Sequence, residues 1–581
     1  MNRIGRPLGV AALLLAVAGL QAPLQARHPT QLLPDSAILY WEVSQPDALW
    51  KLLLDSPVSR WVQSTPQAEA AWQQPGARQL QAALEQLEGP LEMPYQQALR
   101  VLTSGGIFVS FEPLGGRITT VIRSGDAALL ARLDEAVRRF LQQADDAVQP
   151  RFTRYAGSTI WSLGGQWHYA VVNDLLLLSN VEAALRSALD RHSGIIRRSL
   201  ADTTAFSQAR QLAGPQPTAW GYVQLDLLRL LPGVGTALGV PSGNLALEFL
   251  AGGVLDALRR APWAAVALHV HEQQWKLRIL VPHDVQQTDT RRKWYFAVQP
   301  ENSTYAPLRP PGTMVSLSLH RDLAGLWTQR DELFNETVAA QLAQADTALG
   351  LFFSGRDFTT QVLDQLGSRW QFVVARRTFA DDAPRPTLRL PAFALVMEVQ
   401  PQQGLPQELL AAYQKAVGLG SLAGAMQGYP ALLMSTESYR GATLWKAQYL
   451  LPPGMPRDNA PVVYNFAPSC AMVGDRFVLA STPELARSIV DQLHQPEARH
   501  ATPHNLAVQF DPTELAAVLS ENRAALVAQT LLQDGTSPPQ AEAQVDLLLE
   551  LLRRAPPGYL RLTHEGHALV LEAGLQADVR P

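Results

Sequence analysis

The feature that most constrains this chain is that parts of it occur twice. Tyr155-Ala-Gly-Ser-Thr-Ile-Trp161 returns as Tyr439-Arg-Gly-Ala-Thr-Leu-Trp445. Residues 170–190 return as 471–491, with Asp174 on Asp475, Leu178 on Leu479, Arg186 on Arg487 and Asp190 on Asp491. Val223-Gln-Leu-Asp226 returns as Val508-Gln-Phe-Asp511, and Leu258-Arg-Arg-Ala-Pro262 as Leu552-Arg-Arg-Ala-Pro556. A weaker fifth match sets Pro34 and Leu49-Trp50 against Pro311 and Leu326-Trp327. The first four offsets are 284, 301, 285 and 294 residues, a spread expected where loops take insertions. Recurrence in a fixed order predicts one structural unit used twice. The 581 residues also exceed the roughly 250–300 at which a single core stops growing. Two repeats are therefore expected, 27–298 and 313–581. Between them lies the Pro-rich, polar segment Gln299–Gly312, read as a linker.

Periodicity assigns the elements of each repeat. Ala37–Val43 and Met314–Leu319 read as opening strands. Gly106–Phe111 and Ile118–Arg123 read as paired strands, and Ala127–Gln142 as a helix with Leu129, Leu130, Leu133, Val137 and Phe140 on one face. Trp167–Val172 and Leu175–Ser179 flank Asn173-Asp174, a tight-turn dipeptide replaced by Gly474-Asp475 in the second repeat. Ser481-Thr-Pro-Glu484 fits a helix-capping box. Hairpins outnumber crossovers, so the expected class is α+β: antiparallel sheets with helices packed on one face.

The first 26 residues have the layout of a secretory signal peptide. Arg3 and Arg6 precede the 11-residue apolar run Val10–Leu20, and cleavage is expected after Ala26. The alternative is an N-terminal anchor in the inner membrane. A periplasmic or secreted chain with Cys470 as its one cysteine has no internal disulfide and no Cys-rich zinc site. A net charge of −4 and pI near 6.3 argue against a nucleic-acid partner.

Tyr155, Trp161, Tyr439 and Trp445 form a possible aromatic platform, although a repeated Tyr-x-Gly-x-x-x-Trp more simply packs a core. Arg259, Arg260, Arg553 and Arg554 are possible anion contacts, although arginines before a proline also serve helix ends. Asp174 and Asp475 read as turn residues. His269, His271, His564 and His567 read as hairpin-tip histidines, because no third metal ligand lies near them in sequence. Cys470 aligns with Tyr169 and is expected to be buried and inert. No nucleophile elbow, Ser-x-x-Lys, P-loop or dinucleotide fingerprint occurs, so no catalytic residue, cofactor or metal is assigned. Two nearly uncharged, glycine-rich stretches, Leu231–Gly253 and Val417–Gly428, suit a surface that meets lipid or a protein partner.

Leu33-Pro-Asp-Ser-Ala-Ile-Leu-Tyr40, followed by Pro46-Asp-Ala-Leu-Trp50, resembles the opening of a family of uncharacterised bacterial exported proteins with a domain of unknown function. Their mature chains begin with an LPxDxxLY-like strand and a short helix. The resemblance implies export and an α+β fold, and no chemistry. The second repeat departs from it at Arg309-Pro-Pro-Gly312 and at Ser316.

These features lead to a non-enzymatic envelope protein that binds a partner protein or lipid-like ligand in a surface shared by the repeats, with peripheral membrane contact an added possibility. The alternative is a hydrolase of envelope polymers with a dispersed site between the repeats. An inhibitor or chaperone of another exported protein is a third reading.

Overall fold

A computed structural model describes residues 27–575 except 56–59, 61–72, 75–81, 83–84, 144–150, 164–165, 231–242, 272–273, 300–302, 381–382, 401–403 and 452–457. The expected signal peptide and residues 231–242 of the first glycine-rich stretch lie outside the described residues. Packing divides the chain into two units: unit 1 is 1–53 with 63–228, and unit 2 is 54–62 with 229–581. The packing boundary thus falls after Leu228, and residues 229–298 of the first sequence repeat belong to unit 2.

Unit 1 is built on β1 (Leu39–Val43), β2 (Ile107–Glu112), β3 (Arg117–Arg123), β4 (Arg151–Tyr155), β5 (Ser158–Leu163), β6 (Trp167–Val172), β7 (Leu175–Ser179) and β8 (Ala219–Gln224). They pair antiparallel in the order β8-β1-β2-β3-β7-β6-β5-β4. Helices α1 (Tyr95–Thr103), α2 (Ala127–Gln143), α3 (Glu182–Ser193) and α4 (Thr204–Leu212) cover it. Strand β1 alternates, burying Tyr40 and Glu42 and exposing Leu39 and Trp41. Strand β7 is apolar on both sides and is therefore sandwiched. Leu176 packs with Leu129 and Leu130 of α2, while Leu175 and Leu177 are buried from the other side. Asp126 starts α2 by accepting the Ala128 and Leu129 amides at 2.8 and 3.0 Å. The β6–β7 turn places Asn173 at φ +55°, as expected of an Asn-Asp turn.

Unit 2 contains β9 (Trp263–His271), β10 (Gln274–Pro282), β11 (Thr304–Tyr305), β12 (Thr313–His320), β13 (Leu366–Ala375), β14 (Arg385–Pro386), β15 (Ala392–Val399), β16 (Leu432–Tyr439), β17 (Ala442–Tyr449), β18 (Asp458–Ala460), β19 (Ser469–Val473), β20 (Arg476–Ala480), β21 (Ala501–Thr502), β22 (His504–Phe510), β23 (Gly558–Glu565) and β24 (Ala568–Leu575). Twelve of these form an antiparallel sheet in the order β9-β10-β24-β23-β22-β12-β13-β15-β20-β19-β17-β16. Its last eight strands, from β22 to β16, follow the same chain logic as the eight of unit 1. The longer helices are α5 (Leu245–Arg260), α6 (Glu336–Phe352), α7 (Leu405–Met426), α8 (Pro483–Leu493), α9 (Pro512–Glu521), α10 (Arg523–Asp534) and α11 (Pro538–Arg554). Ala392, Ala394 and Val396 of β15 and Val478 and Ala480 of β20 form a core with Leu485, Ile489 and Val490 of α8.

The α+β class with antiparallel pairing is observed, but the expectation of helices on one face needs correction. Helix α7 lies against the face of β15 and β20 opposite to α8, because these strands carry apolar residues on both sides. The capping expectation also shifts by one residue: Thr482, not Ser481, caps α8 by accepting the Leu485 amide at 3.3 Å. The Pro-rich segment is packed rather than loose over its described part. Tyr305 is buried, and the guanidiniums of Arg476 and Arg369 lie 3.6 and 4.7 Å from its ring centroid.

Candidate functional site

The sequence-predicted residues occupy structural positions. Tyr155 donates its hydroxyl to both carboxylate oxygens of Asp190 at 3.0 Å, and Tyr439 does the same to Asp491 at 3.1 and 2.9 Å. Each tyrosine thus pins a strand end to the helix that follows the β6–β7 or β19–β20 hairpin. Trp161 packs on Phe152 at 5.2 Å and faces Tyr169 across the β5–β6 pair, where Trp445 faces Cys470 across β17–β19. Arg260 pairs with Asp256 and Asp289 at 3.1 and 2.6 Å. Arg259 lies in the last turn of α5. Arg553 donates to Ser520 at 2.8 Å, and Arg554 to Glu550 at 2.7 Å. Arg260, Arg553 and Arg554 are thus engaged by carboxylates or a hydroxyl of their own surroundings. Cys470 is buried, and burial pushes its thiol up to about 12, so it is a poor nucleophile.

His564 corrects the expectation of a solvated hairpin tip. Its Nε2 is 2.9 Å from Nδ1 of His283, and Phe296 packs on both rings. These two histidines are 281 residues apart in sequence, so spacing alone could not bring them together. Among the described residues no group of three or more His, Cys, Asp or Glu side chains is placed to hold a metal.

The second glycine-rich stretch, Val417–Gly428, does fall on a site. Residues 417–426 are the C-terminal half of α7 and contain no charged side chain. Leu405, Leu409, Ala412, Tyr413 and Val417 form the buried stripe of this helix at helical spacing. Between that stripe and the sheet lies a cavity of about 560 Å³. Its floor is Phe393 and Met397 of β15 with Phe477 and Leu479 of β20, and its sides come from Phe352, Phe353, Leu432 and Phe466. The Tyr413 hydroxyl is turned away to donate to the Pro468 carbonyl at 2.8 Å, leaving its ring on the cavity.

The attachment of α7 is polar at a few points. Lys415 donates to the Phe352 carbonyl at 2.8 Å and to Ser354 at 3.0 Å, and Ser421 accepts the Leu432 amide at 3.1 Å. Gly418 and Gly420 have nothing within 4 Å of where a Cβ would stand. Close packing therefore does not require these two glycines, and each weakens the helix relative to alanine. On its outer side α7 exposes Leu419, Leu422 and Met426, the last at 85%. Chemically this is an apolar compartment under a helix of low intrinsic stability. Its volume lies within the ~300–1,000 Å³ typical of small-molecule pockets.

Among the described residues no helix is long and apolar enough to cross a membrane. No family model matches the chain, and no curated protein does. Among solved structures it is similar to crystal forms IV, III and I of TP0453, at 8%, 7% and 8% identity and TM-scores of 0.25, 0.24 and 0.24. The matched parts cover 45%, 44% and 44% of this chain and 83%, 80% and 79% of those chains. A likeness at this TM-score assigns neither fold nor function.

Proposed function

We propose that this is an exported, non-enzymatic envelope protein whose α7 compartment holds one apolar chain of a lipid-like ligand. The observation that carries this reading is the cavity of about 560 Å³ lined by Phe, Leu, Met and Ala side chains. Burial of apolar chain there is worth about 0.8 kcal/mol per methylene, so affinity should rise with acyl-chain length once the cost of immobilising the ligand is met. The signal-peptide layout of residues 1–26 supports export, and the exposed Leu419, Leu422 and Met426 support contact with a lipid surface during loading.

The same reading includes a tandem duplication with divergence. Supporting it are the shared eight-strand order, the Tyr155–Asp190 and Tyr439–Asp491 hydrogen bonds, and the equivalent Trp161–Tyr169 and Trp445–Cys470 pairs. Helix α2 occupies in unit 1 the chain position that α7 occupies in unit 2, after the third sheet strand and before the outer hairpin. Yet α2 carries Arg132, Asp134, Glu135, Arg138 and Arg139, whereas the end of α7 is uncharged and glycine-rich. On this reading the charge-free end of α7, where the two copies differ, is what makes the compartment apolar.

The test is direct binding of a fluorescent fatty acid, with solvent extraction and mass spectrometry of the purified protein. Saturable binding should be lost in Leu479→Asp, which puts a carboxylate on the cavity floor at a partly exposed position. An absence of both co-purified lipid and saturable binding by the wild-type chain would sink the proposal.

A further inference from the structure

Unit 1 contains a second cavity of different chemistry. It has a volume of about 620 Å³ and lies beside β1, β8 and α4. Glu42 sits on a central strand with only 4% of its surface exposed. Three neutral donors hold its carboxylate: the Tyr40 hydroxyl at 2.6 Å, the Trp220 indole at 2.6 Å and the Ser44 hydroxyl. Burial first, and then the charge of Glu42, pushes the Tyr40 phenol well up, so it remains a donor. Among the described residues no cation lies within ion-pair distance of Glu42. Hydrogen bonds from neutral donors satisfy a carboxylate without supplying a counter-charge, and a buried carboxyl group without one is costly unless something compensates it.

Arg210 of α4 lines the same cavity. Its guanidinium is 5.3 Å from the Trp220 ring centroid and donates to the Gly214 carbonyl at 3.3 Å. The compartment thus has one carboxylate at its floor, one guanidinium on its wall and the imidazole of His28, which burial pushes down from its ordinary value, while the rings of Trp220 and Phe206, 5.1 Å apart, are buried behind them. A plain cation would meet Arg210, and a plain anion would meet Glu42. We infer that the unit 1 cavity binds a small zwitterion, its primary ammonium on Glu42 and its anionic oxygens on Arg210. The two chemical sources are a free amino acid and a phosphorylated amino alcohol. The site is separate from the α7 compartment, and its test does not depend on lipid binding.

Isothermal titration of the full chain with β-alanine and with O-phosphoethanolamine tests this, with ethylamine and acetate as single-charge controls. At least one zwitterion should bind with a Kd below about 1 mM, and which one binds names the source. Both controls should be weaker by about tenfold or more, because each satisfies one charge only. Glu42→Gln and Arg210→Gln should each weaken zwitterion binding by about tenfold or more. Arg210 is on the cavity wall, so its variant keeps the test valid if the Glu42 variant melts early. Absence of zwitterion binding, ethylamine binding as tight as the zwitterions, or unchanged affinity in Arg210→Gln would each overturn the inference.

Discussion

Arg321 shows how much of this molecule rests on single polar residues brought together from distant segments. It is fully buried, and among the described residues no carboxylate lies within ion-pair distance of it. Its guanidinium instead donates to the carbonyls of Phe249 at 2.7 Å, of Tyr295 and Leu250 at 3.3 Å, and of His320, and it lies 3.5 Å from the Tyr295 ring centroid. Arg321→Met would remove four charge-assisted donations from the interior, although the Leu250 carbonyl still accepts the Tyr295 hydroxyl and the Tyr295 carbonyl the Asn505 amide at 3.0 Å. Urea denaturation should show a loss of about 3 kcal/mol or more; a loss below about 1 kcal/mol would mean that water or neighbouring amides take over. The buried histidines predict a pH response. Burial, reinforced by Arg321 for His320 and by His283 for His564, pushes both imidazoles down to about 4. Unfolded histidines titrate near 6.5. Between these values the unfolded chain binds protons that the folded chain refuses, so stability is full above about pH 6.5 and declines toward pH 4. The slope contributed is up to about 1.4 kcal/mol per pH unit for each histidine. His564→Gln should flatten it measurably in thermal melts at pH 7, 6 and 5, and an unchanged slope would remove His564 from the account. Sequence showed His564 only as a hairpin residue, because its partner His283, just after β10, is 281 positions away. Glu42 was invisible for the same reason: Trp220 reaches it across 178 positions.

At the scale of elements, patterns contained within one strand or helix were legible. Trp167–Val172 and Leu175–Ser179 are the observed strands, and α2 extends one residue beyond its expected end. Local alternation and a turn dipeptide specify such elements almost alone. The second face of the sheet was not legible. A run such as Leu175–Leu178 is apolar on both sides, and its sequence does not say which helix covers each side. The Val417–Gly428 stretch is unusual for its lack of charge, but nothing in its sequence says that Val417 and Gly420 face a cavity lined by Phe393, Met397 and Phe477. Helix α7 carries two predictions. Gly418→Ala and Gly420→Ala meet open space and should each stabilise the protein by about 0.5–1 kcal/mol in chemical denaturation. If α7 must loosen to admit a ligand, the double variant should also take up a fluorescent fatty acid more slowly in stopped-flow measurements. Faster uptake, or no gain in stability, would contradict the role given to these glycines.

At the scale of the whole molecule, two units with the same strand order carry different compartments. That of unit 1 is polar and contains Glu42 and Arg210, and that of unit 2 is apolar and roofed by α7. The repeated residues explain the shared order, since they are turn formers, caps and strand-to-helix ties such as Tyr439–Asp491. Most of the residues that line the compartments are unrepeated, Leu479, which matches Leu178, being a shared one. The most direct test of the central claim is photo-crosslinking of the full chain with a diazirine-bearing fatty acid, followed by peptide mapping. The account predicts adducts on α7 between Leu409 and Gly420 and on the floor around Phe477–Ser481, competed away by unlabelled fatty acid. Adducts spread over the surface without competition, or concentrated in unit 1, would contradict it.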